Sequence, residues 1–158
     1  MAKSKSKIIP EKIHIAQINV IHCHISTGDE YLNNSVKWDN ISISIRKEDA
    51  YNFENKGCRF RLFFKCVAVK KEKELDLTAE IGIEFHFVVE NFEDFVTKQD
   101  DHNTISIDLG TTLLAIAFST SRGIIVEKTQ NTYFRGIILP VVDPVAVYIC
   151  YSVYILIL

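Results

Sequence analysis

The chain has 158 residues, 47% of them hydrophobic, and a formal net charge of −2. This length fits one domain with a buried core, and residues 1–158 are interpreted as that single domain. A net charge so close to zero creates no field that would recruit nucleic acid or an anionic membrane, so nucleic acid is excluded as a partner.

Four segments after the start of the chain have the alternation of apolar and polar residues that is typical of β-strands. Residues 1–10 are predicted to be disordered, since lysine and serine alternate there. In Ile41–Ile45, isoleucine alternates strictly with serine, which predicts a half-buried strand with one wet face. The phase slips once between Ile15 and Ile18, as a β-bulge would cause. The four predicted strand segments are Lys12–Ser26, Ile41–Ile45, Arg59–Val69 and Leu75–Phe92.

A run of helical character follows the strands, from Thr111 to Lys128, with a broad apolar face. Thr111 or Thr112 is expected to cap its start, and Gly123 weakens the case for an unbroken helix. The strands and this helix predict an α+β fold, in which a four-stranded antiparallel sheet is followed by one long helix packed on it.

Residues 145–158 form an apolar tail, interrupted only by Ser152. A spanning helix needs about 20 apolar residues, and extending the tail backwards to that length brings in Pro140, Asp143 and Pro144. We therefore expect a final strand or a core-packed helix and no stable membrane insertion. An exposed tail that associates with itself is the other possibility.

His22-Cys23-His24 is the strongest candidate for a metal site, because residues two apart on a strand point to the same side. A site would need further ligands, so the alternative functional hypothesis is a metal-binding protein that uses His22, His24 and His86. The simpler interpretation is two surface histidines, and it predicts no metal and no cofactor.

Ile107-Asp-Leu-Gly-Thr-Thr112 looks like the phosphate-binding hairpin of actin- and Hsp70-type ATPases, but only 46 residues follow it, so it is interpreted as a loop that ends in a helix cap. The Gly-x-Ser-x-Gly, Gly-x-Gly-x-x-Gly and Walker A patterns are absent, so no catalytic residue and no enzymatic activity are predicted.

The four cysteines lack the Cys-x-x-Cys spacing of zinc or redox sites, which indicates free thiols in a reducing, cytoplasmic location. The chain is also rich in aromatic residues, with 10 Phe and 6 Tyr. One helix can cover only one face of a sheet, so a surplus apolar face is expected to meet another subunit or a bound polypeptide. A homo-oligomer interface alone, and such an interface with a binding groove in addition, both remain open.

The order of the segments resembles the SecB family of export chaperones over about Ile13–Pro144. Trp38 precedes Asn40-Ile-Ser-Ile-Ser-Ile, and Thr78-Ala-Glu-Ile-Gly-Ile-Glu-Phe-His-Phe corresponds to the aromatic-containing third strand of the family. After the helix, Leu139-Pro-Val-Val-Asp-Pro144 looks like the family segment Leu-x-Pro-Val-Asn-Phe. The apolar tail departs from the acidic tail that is usual in the family.

The resemblance implies a non-enzymatic holdase chaperone that forms a homotetramer, a dimer of dimers, and acts in protein transport and translocation. Its clients would be unfolded preproteins or antitoxin-like proteins. The family contacts the export motor ATPase through acidic residues, for which Glu84 is the candidate, although His24 and Gly28 stand at two other such positions. Strand parity and the resemblance together name six client-binding side chains: Phe63, Phe85, Phe87, Phe92, Phe95 and Phe134.

Overall fold

The computed structural model describes residues 7–31, 37–98, 102–150 and 152–157. Within them the strands are β1 Ile13–Thr27, β2 Asn40–Asn52, β3 Gly57–Lys70, β4 Lys73–Val89, β5 Val96–Lys98, β6 Asn103–Ile105 and β7 Ser152–Ile157. The helices are α1 Ile107–Thr129 and α2 Pro144–Ile149, and short 3-10 turns occupy Pro10–Lys12, Asp29–Tyr31 and Phe92–Phe95.

The predicted α+β fold is confirmed, with the four long strands antiparallel in one sheet and α1 packed on it. The strand order is β1-β4-β3-β2-β7, while β5 and β6 form a separate two-stranded sheet. A fifth strand therefore joins the predicted four, because the tail pairs with β2 from Ile157 opposite Ile41 to Ser152 opposite Arg46. The tail contributes both elements considered for it, a strand and the short helix α2.

The core lies between α1 and one face of the sheet. Strict alternation puts Ile41, Ile43 and Ile45 of β2 on that face, where each is at most 2% exposed. The ring of Phe118 from α1 lies 5.9 Å from the ring of Phe64 on β3. The opposite face carries serine, arginine, glutamate and histidine, so one side of the sheet is buried and the other is wet, as the alternation predicted.

The register of β1 against β4 shifts twice. The shift between Ile15 and Gln17 confirms the predicted bulge, and a second shift between Val20 and His22 was not foreseen. Each shift leaves one extra residue on β1, which keeps apolar residues on the helix side despite the irregular sequence phase.

The start of α1 corrects the predicted cap. Ser106 is the N-cap, and its hydroxyl oxygen accepts a hydrogen bond of 3.3 Å from the Leu109 amide. Thr111 and Thr112 lie inside the helix, where their hydroxyls donate to backbone carbonyls one turn back. The helix continues unbroken through Gly123, which is exposed.

By length and composition, α1 is apolar enough to cross a membrane, with a window of mean hydropathy 1.5. In this fold, 44% of that window is buried within the protomer. Leu113, Leu114 and Ala117 are at most 1% exposed and belong to the same core as the strands. We therefore treat α1 as a core helix.

Contacts near the start of the described residues and around α2 hold both of these segments to the fold. Residues 1–6 of the predicted disordered segment lie outside the described residues, while Ile8 packs against the core. At the other end, the Asp143 carboxylate accepts a hydrogen bond of 2.9 Å from the Val145 amide, which caps α2 in front of Pro144.

Candidate binding surfaces

Five of the six phenylalanines that the sequence assigned to client binding are core residues. Phe85 and Phe87 fall on the sheet face that α1 covers, and their rings lie 6.2 Å apart. The other three belong to the 3-10 turn before β5 and to the turn after α1, and they join the same cluster. The expected exposed groove is therefore corrected, since Phe85, Phe87, Phe92, Phe95 and Phe134 are at most 3% exposed.

Phe63, the sixth of these residues, lies on the wet face and is half-buried. The Arg46 guanidinium carbon lies 4.0 Å from the centre of its ring. The ring also lies beside Gly82, where a Cβ atom would approach it to 3.1 Å. Phe63 is thus held between a cation and bare backbone, and only part of its ring is accessible.

One exposed apolar surface follows the edge strand β1, whose neighbour in the sheet is β4 on one side only. Pairing places Ile15, Ile18 and Val20 opposite core residues of β4, on the helix side. Four side chains form what we call the β1 stripe, Ile15, Ile18, Val20 and Ile21, and each is between 39% and 44% exposed. A long apolar edge strand of this kind is a template for pairing with another chain.

A second exposed apolar surface lies on the segment between α1 and the end of α2. We call it the crossover patch, and its members Ile138, Val141, Val145 and Ile149 are between 42% and 83% exposed. The sequence pointed to Val141 through the resemblance to the SecB pattern, and to Val145 and Ile149 through the apolar tail. Ile138 and Val141 lie on the irregular path between the two helices, whereas Val145 and Ile149 lie on the short helix α2, and neither stretch has a period long enough to reveal its exposure.

A pocket of about 180 Å³ opens between α1 and the chain that follows it as far as the end of α2, which we call the crossover segment. Its walls are apolar, with Leu114 and Phe118 from α1 facing Val142 and Val147. Arg122 lies in the lining, and its Nε donates a hydrogen bond of 3.0 Å to the Leu139 carbonyl. This bond ties the crossover segment to α1 and helps to keep the pocket open.

Glu84 is almost buried on the wet face, at 8% exposed. One carboxylate oxygen lies 2.7 Å from His86 Nε2, and the other accepts a hydrogen bond of 2.6 Å from Arg61 Nε. These bonds, from His86 first and Arg61 second, hold the pKa of Glu84 down at about 2. A motor protein that used Glu84 would have to displace His86 or Arg61, because both carboxylate oxygens of Glu84 already have a partner.

The proposed metal ligands do not converge, which corrects the alternative metal hypothesis. His22 and His24 share the wet face, but their partners on β4 are Gly82 and Glu80. His86 lies four residues beyond Gly82, roughly 13 Å along the strand at about 3.3 Å per residue. Among the described residues, no group of three or more His, Cys, Asp or Glu side chains is arranged to hold a metal ion.

No protein-family model matches this chain, and no curated protein matches it. Among solved structures, it is similar to the Mycobacterium tuberculosis Rv1957 SecB-like chaperone in complex with a ChAD peptide from the HigA1 antitoxin. That match has 10% identity and a TM-score of 0.57, and it covers 84% of this chain and 91% of the other. A Streptococcus agalactiae protein of unknown function aligns at 16% identity over 82% of this chain and 97% of that one, with a TM-score of 0.39, which is too low to bear on the fold.

The comparison with the chaperone confirms the resemblance at the level of the fold. The four long strands and α1 make a SecB-like fold, although the apolar tail has no counterpart in the expected family pattern. At 10% identity the match carries the fold alone.

Proposed function

We propose that this protein is a non-enzymatic, SecB-like holdase that binds unfolded or non-native polypeptides. The observation that carries the proposal is the apolar pocket between α1 and the crossover segment, with the exposed crossover patch beside it. Large exposed apolar surfaces on otherwise polar proteins mark binding sites, and this one is concave at its centre.

The pocket fits one apolar side chain of a client. Its volume of about 180 Å³ exceeds the ~150 Å³ of a dry protein cavity that binds benzene. Burial of each further client side chain on the patch contributes about 1.5–3 kcal/mol. Few polar groups line the pocket to fix a register, so the selectivity for client sequence is low, as a holdase requires.

The β1 stripe is the proposed contact between subunits. Two β1 edges that pair would extend the sheet and cover Ile15, Ile18 and Val20 while leaving the crossover patch free for a client. This arrangement agrees with the dimer of dimers that the SecB resemblance implies. The β1 stripe and the crossover patch therefore have separate proposed roles, the first in subunit contact and the second in client binding.

The client class is proposed as non-native preprotein or antitoxin-like protein. The solved SecB-like neighbour holds an antitoxin peptide, which supports a polypeptide client. Among the described residues Cys23, Cys58, Cys66 and Cys150 are free, which supports a reducing, cytoplasmic location. Both carboxylate oxygens of Glu84 already have hydrogen-bond partners, so we do not propose the export motor as a partner of this protein.

A holding assay tests the client site. Light scattering follows the aggregation of a chemically denatured model protein diluted into buffer with or without this protein. We expect suppression by the wild type and loss of most of it in Val141→Asp, which places a charge on the crossover patch. The matched control is Ile107→Asp, an exposed isoleucine at the start of α1 outside the patch, which should hold the client as the wild type does.

Two results would contradict the holdase proposal. One is a wild-type protein that leaves aggregation unchanged at a several-fold molar excess. The other is equal holding by Val141→Asp and the wild type, with circular dichroism showing that both are folded.

The subunit contact is tested by solution mass. We expect an oligomer for the wild type and a monomer for Ile18→Lys, because a lysine in the stripe leaves a charge in the paired interface. If Ile18→Lys is still an oligomer, the subunit contact does not lie on β1.

A further inference from the structure

We propose that the wet face of the sheet carries a second binding site, which takes an acidic peptide segment and is centred on Arg59. The site is a basin at the end of the sheet where β3 begins, and it encloses about 540 Å³. It lies on the face opposite the core, so it is separate from the crossover patch and goes beyond the holdase proposal.

The basin is built from a row of side chains that crosses four strands. Strand pairing aligns Ala50 of β2 with Arg59 of β3, Arg59 with His86 of β4, and His86 with Gln17 of β1. Two of the residues beside this row are small, Ala16 at the first bulge of β1 and Gly57 at the start of β3. Small side chains around one guanidinium leave a hollow that an extended peptide can enter.

Charge compensation distinguishes this row from its neighbour. In the next row Arg61 lies between two carboxylates, with Nε 2.6 Å from Glu84 and a terminal nitrogen 3.8 Å from Glu48. Arg59 instead has Ala50 and His86 as cross-strand neighbours. Among the described residues, no carboxylate lies within ion-pair distance of Arg59.

His86 does not compensate Arg59 either. An imidazole carries either no charge or a positive one, so it cannot neutralise a guanidinium, and its Nε2 bonds to the Glu84 carboxylate at 2.7 Å. Arg59 is partly buried, which strengthens the attraction between its charge and an incoming anion compared with a fully hydrated side chain.

The chemistry of the basin selects a carboxylate beside an apolar residue. A guanidinium presents its donors as a planar fork that matches the two oxygens of a carboxylate. Val88 lines the same basin and is 39% exposed, so it offers an apolar contact next to the charge. A hollow of about 540 Å³ is larger than a single small anion needs, which favours a peptide segment.

The charge of this site is opposite to the one that the SecB resemblance implied for the flat face. An acidic patch would recruit a basic partner, whereas Arg59 recruits an acidic one. Any partner protein docked here would therefore present aspartate or glutamate in an extended segment.

The test uses a fluorescein-labelled octapeptide of alternating glutamate and valine, with the lysine–valine peptide as its charge-reversed counterpart. Fluorescence anisotropy at low salt should show binding of the acidic peptide only. Loss of one charge-assisted contact in Arg59→Gln should weaken this binding about tenfold. Arg59→Lys, which keeps the charge but not the fork, should fall between the two.

Two matched variants locate the site. Arg46→Gln removes another arginine from the same face, one that pairs with Glu48 and stacks on Phe63 outside the basin, and it should bind the acidic peptide as the wild type does. Val141→Asp, which alters the crossover patch, should also leave this binding unchanged. That result separates the basin from the client site, so either proposal can fail without the other.

Three outcomes would overturn the assignment. The first is equal binding of the lysine–valine peptide, and the second is unchanged affinity in Arg59→Gln. The third is competition by free succinate at the same carboxylate concentration as the peptide, because this would show a site for small anions and not for a peptide.

Discussion

The phenol oxygens of Tyr51 and Tyr148 lie 2.9 Å apart and share a hydrogen bond that joins β2 to α2. The Lys47 ammonium lies 4.6 Å from the centre of the Tyr148 ring, which also packs against Gly110 of α1. Burial and the bond to Tyr148 raise the pKa of Tyr51, so the Tyr51 phenol keeps its proton at neutral pH. Tyr148 therefore connects the sheet to both helices at the base of the crossover segment.

Two glycines of α1 should respond oppositely to alanine. Gly123 is exposed and has open space around it, so Gly123→Ala should raise the free energy of unfolding by about 0.5–1 kcal/mol through helix propensity. A methyl group at Gly110 would overlap the Tyr148 ring, so Gly110→Ala should lower the free energy of unfolding by about 1–3 kcal/mol. Urea unfolding of both variants measures the difference, and stabilisation by Gly110→Ala would show that Tyr148 does not pack there.

The bonds to Glu84 should make stability depend on acid pH. Its folded-state pKa of about 2 lies below the ordinary 4.5, so the carboxylate contributes stability that is fully present above pH 4.5 and is lost as the pH falls toward 2. Glu84→Gln should lower the free energy of unfolding by about 1–3 kcal/mol at neutral pH, because Arg61 loses its partner. The gap between variant and wild type should narrow between pH 4.5 and about 2.

Glu80 supplies the control for this measurement. It lies on the same strand and face and pairs with Lys65 at 3.1 Å, but its side chain is 40% exposed. Glu80→Gln should therefore change the free energy of unfolding by about 0.5 kcal/mol or less. A Glu84→Gln effect that is equally small, or that grows on acidification, would contradict the role assigned to Glu84.

The four cysteines should fall into two classes of reactivity. Burial raises the pKa of Cys58 and of Cys66 to about 12, whereas Cys23 and Cys150 are exposed in the protomer. In Ile18→Lys, the expected monomer, thiol labelling at mildly alkaline pH should be slower at the buried pair by a factor of about 100 or more, since the thiolate is the reactive form. All four should react quickly in denaturant.

Cys23 also reports on the proposed subunit contact, since it lies on β1 near the stripe. Its labelling should be slow in the oligomer and fast in Ile18→Lys. Cys150 is the internal reference, because it lies outside β1 and should label at the same rate in both. Equally fast labelling of Cys23 in both proteins would argue against pairing through β1.

Removal of β7 should loosen the sheet locally. The strand pairs with β2 over Ile41–Arg46, and Ile155 packs against the core. A chain that stops after Cys150 would leave the edge of β2 without its partner, so hydrogen exchange of the amides in Ile41–Arg46 should accelerate. Amides of β4 around Ile83, with neighbours on both sides, should keep their protection, and equal acceleration there would indicate global unfolding instead.

Much of the local structure was predictable because it has a period. The alternation of Ile41–Ile45 was enough to predict a strand with one wet face, and the parity of β4 correctly separated Phe85 and Phe87 from Glu84 and His86. The N-cap of α1 was predicted wrongly, at Thr111 or Thr112, because Ser106 lies before the part of the sequence in which a helical pattern of apolar residues is recognisable. The second bulge of β1 left no turn residue in the sequence to mark it.

The candidate sites were less predictable than the elements. Parity shows which residues share a face, but which face the helix covers depends on the tertiary structure. Five of the six phenylalanines assigned to client binding are buried in it. The crossover patch depends on the path of the chain after α1 and on the short helix α2, which are too irregular or too short to show a period. The basin at Arg59 depends on register, since only the pairing of β2, β3 and β4 shows that Arg61 has carboxylates beside it and Arg59 does not.

The positions of the four long strands and of the long helix α1, and the sets of residues that share one face of the sheet, were predictable from the sequence, because they follow from patterns among residues close together in the chain. The folded structure was needed to show which apolar residues are buried, where β7 attaches, and that Arg61 has carboxylates beside it while Arg59 does not. The physical reason is that burial and charge compensation are set by partners distant in sequence, and no local pattern records them.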